Sequence, residues 1–372
     1  GDKGETVKSV KLSFRAYDTL RKFADDYNER TYGDMRPILD KAEEDVRDIY
    51  AQSYLCYLQG DTPNKMFNQL EKIAPYFPGH AMFHVSNSMH KNEGQETHFD
   101  AFPNYFPPNE QWGTTEDMAR FIKTARDNGH MFMPRNSLYY YTEGSDIDKK
   151  YGGESLAVKR FDGMVQRVRW GLPGWIYSPS SNNANKELHG YFDTWKELGS
   201  TAFFTNVIAI VAPFGYRYDF HSDAERPDWF YDKLMEEFKW YGDRLPVFTE
   251  GVSGSRTPYQ VGFMTGDQWS ETGGVPSYQR DAHAGTYIGH RSDIFALFTS
   301  EFARLYPHNV SEGGQTAYRS LTHSLMYNFS LKIGVNLDVK RSEEKWKWLR
   351  AQALVGEKIS SRLIGRKLND EE

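Results

Sequence analysis

Cysteine is almost missing from this chain: Cys56 stands alone among 372 residues. One thiol excludes an internal disulfide framework and a cysteine-based metal cluster. Long apolar runs are missing too. The longest, 202–214, is interrupted by Thr205 and Asn206 and is too short to span a bilayer. There is no excess of positive charge, since 45 Lys and Arg face 51 Asp and Glu for a net −6. That balance argues against a nucleic-acid scaffold. No HExxH or tight His-x-His spacing offers a zinc site, although His84, His90 and His98 cluster in sequence. No GxSxG elbow or Walker sequence is present, which removes the serine-hydrolase and P-loop readings. No residue pattern calls for a cofactor. The chain begins at Gly1 without a leader, as expected of a mature form or an excised piece, so it fixes no compartment.

What is abundant is aromatic: 15% of residues, with 24 Tyr, 24 Phe and 9 Trp. A large aromatic core and a cleft that stacks sugar rings both explain that number. Apolar content of 39% supports a real core. Residues 1–80 read differently from the rest. Val10, Leu12 and Phe14 alternate as in a short strand, residues 17–59 are charged and helical in pattern, and 62–77 offers another helix. This is the pattern of an N-terminal helical lead-in.

From residue 81 a strand–loop–helix rhythm sets in. Strand-like runs fall at 82–86, 130–133, 174–177, 202–211, 245–249 and 333–337. Between them lie amphipathic faces: Met118, Phe121, Ile122 and Ala125; Leu188, Tyr191, Phe192, Trp195 and Leu198; Tyr231, Leu234, Met235 and Phe238. Thr114 or Thr115 can cap the first helix, and Gly129 and Gly199 stand where two helices would stop. Residues 346–363 supply a closing helix, and 253–291, rich in Gly, Ser and Thr, reads as a long loop. The repeat predicts an α/β fold, a (β/α)8 TIM barrel over 81–372 preceded by the helical extension over 1–80. An open doubly wound sheet is the alternative, but the first βα turn lacks its glycine-rich phosphate loop.

In a barrel, reactive side chains stand at the C-terminal ends of strands. Glu250 ends one strand beside Gly251, where packing demands no charge, and is the sharpest catalytic candidate. An ion pair with Arg217 or Arg256 is its structural alternative. Asp219, in Tyr216-Arg217-Tyr218-Asp219, is a second carboxylate candidate. Two carboxyl groups on neighbouring strand ends are what glycosidic cleavage needs: one protonates the leaving oxygen, the other attacks carbon or activates water. Tyr139, Tyr140, Trp175 and Tyr177 are candidate stacking platforms. His84, Arg135, Asn136, Arg217 and His308 are candidate contacts to hydroxyl or carboxylate groups.

Two stretches carry a resemblance. Phe102-Pro-Asn-Tyr-Phe-Pro-Pro108, then a helix, then Gly129-His-Met-Phe-Met-Pro-Arg-Asn136, resembles the first βαβ unit of TIM-barrel glycoside-hydrolase-like domains in bacterial polysaccharide-degrading proteins. These are distantly similar to endo-α-N-acetylgalactosaminidase barrels. The resemblance covers roughly residues 81–365. It implies a carbohydrate partner and a secreted, periplasmic or cell-surface setting. It also implies a nucleophilic aspartate ending the fourth strand and an acid/base glutamate in a Thr-Glu-Gly segment ending the fifth. Thr249-Glu250-Gly251 matches the second; at the first position this chain has Asn206. Asparagine cannot act as an anionic nucleophile. Three readings stay open: Asp219 is the true partner, the hydrolase is inactivated, or the domain is a catalytically silent sugar binder.

Overall fold

The computed structural model describes residues 14–32, 44, 47–58, 66–85, 103–110, 112–136, 140–159, 162–165, 167–170, 172–205, 218–219, 228–250, 262–265, 304–307, 332–335 and 343–364. The first half of the chain runs α1 (Leu20–Tyr32), α2 (Arg47–Gln52), β1 (Tyr54–Leu58), α3 (Met66–Ile73), β2 (Ala81–Val85), α4 (Thr115–Asp127), β3 (Met131–Met133) and β4 (Arg135–Asn136). Next come β5 (Tyr140–Thr142), α5 (Asp146–Tyr151), β6 (Arg167–Trp170), β7 (Leu172–Ile176), α6 (Asn182–Glu197) and β8 (Phe203–Thr205). Then follow β9 (Tyr218–Asp219), β10 (Asp228–Trp229), α7 (Phe230–Gly242) and β11 (Val247–Glu250). The last elements are β12 (Gly262–Thr265), β13 (Arg304–Pro307), β14 (Lys332–Val335) and α8 (Glu343–Val355), which runs on through a π turn to Leu363.

The fold is α/β with parallel strands. One sheet has the order β14-β1-β2-β3 and another β13-β12-β11-β8-β4, every pair parallel. Pro134 separates β3 from β4, so the chain passes from the first sheet to the second across one residue that has no amide hydrogen to donate. These are two open sheets; among the described residues no pairing joins β13 to β14.

Three expectations are corrected here. Tyr54–Leu58 lies in a region read as helical, yet it is a strand between β14 and β2. Gly262–Thr265 lies in a region read as loop, yet it pairs with β11 and β13. Residues 174–177 were read as part of the parallel repeat; β7 is instead the centre of an antiparallel sheet, β5-β7-β6, inserted before α6. Gly174 allows this pairing, because a Cβ there would lie 2.3 Å from the Tyr141 carbonyl oxygen. The strand expected at 8–14 falls almost wholly outside the described residues.

The helix readings agree with the structure. The face Met118, Phe121, Ile122 and Ala125 is buried, as are Leu188, Phe192 and Trp195, and Leu234 and Phe238. Each large apolar side chain so buried stabilises the fold by roughly 1.5–3 kcal/mol. Thr114 forms a full capping box with Asp117, and Gly129 takes φ 75° just past the helix end.

Strand alternation divides the core in two. Cys56, Leu58, Phe83, Val85, Phe132, Phe203 and Val247 pack with the helices. Leu55, Met82, Met131, Met133, Phe204 and Phe248 form a separate cluster on the opposite, inner side of the sheets.

Candidate functional site

His84 and Arg135 share the parity of Met82 and Met133, and both come to rest on Phe204. The His84 ring lies 4.5 Å from the Phe204 ring between centroids, and the Arg135 guanidinium carbon is 5.6 Å from the same centroid. Arg135 and Phe204 belong to neighbouring strands, β4 and β8, of one sheet, and His84 to β2 of the other, beside β3, which leads through Pro134 into β4. His84 is fully buried and donates from Nδ1 to the Met133 carbonyl at 3.2 Å; a carbonyl can only accept, so the hydrogen is on Nδ1. Arg135 is half-buried. Phe204 went unnoticed in the sequence.

Asn136 belongs to the other side. Its Oδ1 accepts from the Trp195 indole N–H at 2.9 Å, with both residues buried, and Trp195 sits in the helix-side cluster. It anchors the strand end to α6 rather than meeting a ligand from the inner face. Trp195→Phe would leave the Asn136 carbonyl without this donor and should cost about 1–3 kcal/mol in urea unfolding. Adding Asn136→Leu should recover part of that loss, because both polar groups then disappear together. Strictly additive losses would show that the bond carries no coupling.

The aromatic candidates of the insertion are packing residues. Trp175 and Tyr177 are 4% and 0% exposed. Tyr141 lies between them, 5.3 and 4.5 Å away between ring centroids, and the Arg167 guanidinium covers Trp175 at 5.3 Å. Tyr140 is also buried. Burial holds the Tyr177 phenol well above its ordinary range. None of the three rings is open to stack on a sugar as the chain stands. Residues 104–106 pack instead on α6 and α5: Tyr105 lies edge-on against Tyr191, Phe106 lies 4.7 Å from Trp195, and the Asn104 side chain accepts from the Asp146 backbone N–H.

Glu250 ends β11, where its backbone pairs with Met264 of β12; one residue earlier, Thr249 pairs with Thr205 of β8. Asp219 lies in β9, a two-residue strand paired with β10 and outside both parallel sheets. Asn206, Tyr139, Arg217 and His308 lie outside the described residues. Asn206 directly follows β8, and His308 directly follows β13. Among the described residues no group of three or more His, Cys, Asp or Glu comes together to hold a metal ion, and no helix is long and apolar enough to cross a membrane.

Parallel strands with polar side chains gathered near their C-terminal ends form a fold shared with glycoside hydrolases. One such structure is the ligand-free α-N-acetylgalactosaminidase NagBb from Bifidobacterium bifidum, similar with a TM-score of 0.64 at 15% identity over 94% of this chain and 57% of that one. An α-galactosidase from Thermus thermophilus in complex with stachyose gives 0.57 at 12% identity, over 83% of this chain and 69% of that one. A GH36 α-galactosidase from Geobacillus stearothermophilus in complex with 1-deoxygalactonojirimycin gives 0.59 at 10% identity, over 94% and 46%. The chain thus spans little more than half the length of NagBb. No family model and no curated protein sequence matches it.

Proposed function

We propose that this chain is a glycoside hydrolase built on a (β/α)8 barrel, with Glu250 as the general acid/base. The carrying observation is the meeting of His84 and Arg135 on Phe204 at the sheet end where Glu250 closes a neighbouring strand. The barrel reading rests on eight parallel strands taken in chain order (β1, β2, β3–β4, β8, β11, β12, β13, β14), the first paired with the last. It needs only the β13–β14 ladder to close. A barrel that counts Tyr54–Leu58 as its first strand starts before residue 80, which confines the helical lead-in to the residues preceding it.

In this reading Glu250 protonates the departing glycosidic oxygen, while Arg135 and His84 bind the sugar beside it. Asp219 is the proposed partner carboxylate, and Asn206 marks the position where the resembling barrels carry a nucleophile. Arg217 and His308 remain proposed substrate contacts, and Tyr139 a proposed stacking residue. The substrates named for the similar structures point to α-linked, galactose-configured sugars as first candidates. The test is reducing-sugar and aglycone release from aryl α-galactoside and α-N-acetylgalactosaminide panels.

A second reading, a catalytically silent sugar-binding barrel, is favoured by Asn206 itself. Asn206→Asp separates the two. The exchange is nearly isosteric, and a new anion near Glu250 would raise the pKa of one of the pair, which suits an acid. Hydrolysis gained by the variant on a glycan that the parent only binds supports an inactivated hydrolase. A folded variant that binds without releasing sugar supports the binder. If the parent already cleaves and Asp219→Asn abolishes cleavage, Asp219 is the second carboxylate.

A further inference from the structure

We propose that Phe204 is a positioning residue: its ring holds Arg135 in the pose that meets the sugar, and so sets the site's affinity. That the occupant is a sugar rests on the function proposed above; the seating of Arg135 rests on the contacts of the ring itself.

Phe204 is 0% exposed, so a ligand does not touch it and any effect it has on binding passes through a neighbour. Two neighbours with polar ends meet it from different sheets. The His84 ring of β2 lies 4.5 Å away, tilted by 52°. Arg135 of β4 stands directly opposite Phe204 of β8 in the ladder, with its guanidinium carbon 5.6 Å from the ring centroid. Cross-strand partners stay side by side as long as the ladder holds, so this contact is built into the sheet. His84 is as fully buried as Phe204, whereas Arg135 is half-buried, with its Nε enclosed. Arg135 is thus the member of the trio that a ligand can meet. A guanidinium donates its hydrogens in its own plane, so the direction of its bonds to sugar oxygens follows the surface on which that plane rests. An aromatic face attracts the cation through its quadrupole and limits the rotamers it samples, which reduces the ordering lost on binding. Leu55, Met82, Met131 and Met133 of the same inner cluster have no ring that could replace it.

The test replaces Phe204 in the full chain by phenylalanines carrying one, two and three ring fluorines, and separately by leucine. Fluorine drains the negative face of the ring while changing its volume little, so the packing is kept and the attraction for a cation falls stepwise. Binding of p-nitrophenyl α-galactoside and p-nitrophenyl α-N-acetylgalactosaminide is read by isothermal titration and, where turnover occurs, as KM and kcat. Kd should rise with fluorine number, by about threefold in all, and by about tenfold in Phe204→Leu. The effect should fall on KM, with kcat within about threefold. In an Arg135→Met background the fluorinated and plain proteins should bind alike, because no guanidinium is left to seat. The contact is also read without a ligand: the Arg135 Nε–H resonance, identified by its loss in Arg135→Met, should move in Phe204→Leu. Unchanged melting temperatures exclude misfolding, and the fluorinated series stands if the leucine variant does not fold. A Kd that is flat across the series overturns the inference. So does a dependence that survives Arg135→Met, or a resonance that does not move. Binding that follows fluorine number without any cleavage retains this inference and sinks the hydrolase. Cleavage with a flat series does the reverse, and failure of both glycosides to bind at millimolar concentration overturns both.

Discussion

Glu250→Gln should lower turnover of an aryl glycoside by ~10²–10⁴ while leaving ligand affinity within about tenfold. Glutamine keeps the shape and a hydrogen-bonding tip but has no transferable proton at neutral pH. The missing proton matters only as the glycosidic bond breaks, so the loss falls on kcat rather than on ground-state binding. The leaving group sharpens the test. A dinitrophenolate departs without protonation, so the deficit should shrink markedly on a dinitrophenyl glycoside and persist on an alkyl glycoside or disaccharide. Equal losses on all leaving groups would assign Glu250 to binding or to an ion pair. No loss on any would remove it from the reaction.

The second large effect lies at the opposite strand end. His130 precedes β3, is 3% exposed, accepts the Ala81 amide hydrogen on Nδ1 and donates from Nε2 to the Ala74 carbonyl. Both ring nitrogens are therefore committed in the neutral form, and protonation would displace the Ala81 bond. Desolvation and the neighbouring His80 lower its pKa from 6.5 to about 4. Between those values the unfolded chain binds a proton that the folded chain does not. Stability contributed by His130 is thus complete above pH 6.5 and is lost as pH falls toward 4, by about 3 kcal/mol in all. The gap in unfolding free energy between the wild type and His130→Gln should narrow by about that amount from pH 7 to pH 4. Parallel pH profiles would show that His130 does not titrate in this window.

How much of this was visible in the sequence depends on how many signals coincided. The helix at 115–127 had a 3.6-residue apolar face, a cap and a terminal glycine, and it was legible to within a residue. Tyr54–Leu58 is five residues of unbroken apolar character behind a charged helical stretch. A buried strand and a buried helical turn read alike at that length. Gly262–Thr265 is shorter still, begins with Gly and lies inside the Gly-, Ser- and Thr-rich stretch that read as loop. The apolar run at 174–177 read as a strand but could not show that its partners run antiparallel.

The strand-end rule named His84 and Arg135, which the fold brings together on Phe204. It also took in Asn136, where alternation from Met131 and Met133 would have put Arg135 inside and Asn136 outside. Trp175 and Tyr177 misled because a ring beside a loop carries the same letters whether it stacks on a ligand or on Tyr141.

Pro134 turns the third strand into a fork. The tine carrying Met133 lies beside β2 and His84; the tine carrying Arg135 lies beside β8. His84 and Arg135 thus ride on different sheets, and the span between them is set by how far the backbone splays at one residue. Pro134→Ala would restore an amide hydrogen and let the β2 ladder extend one step, drawing Arg135 toward His84. The spacing of the two side chains would then shrink with neither of them substituted.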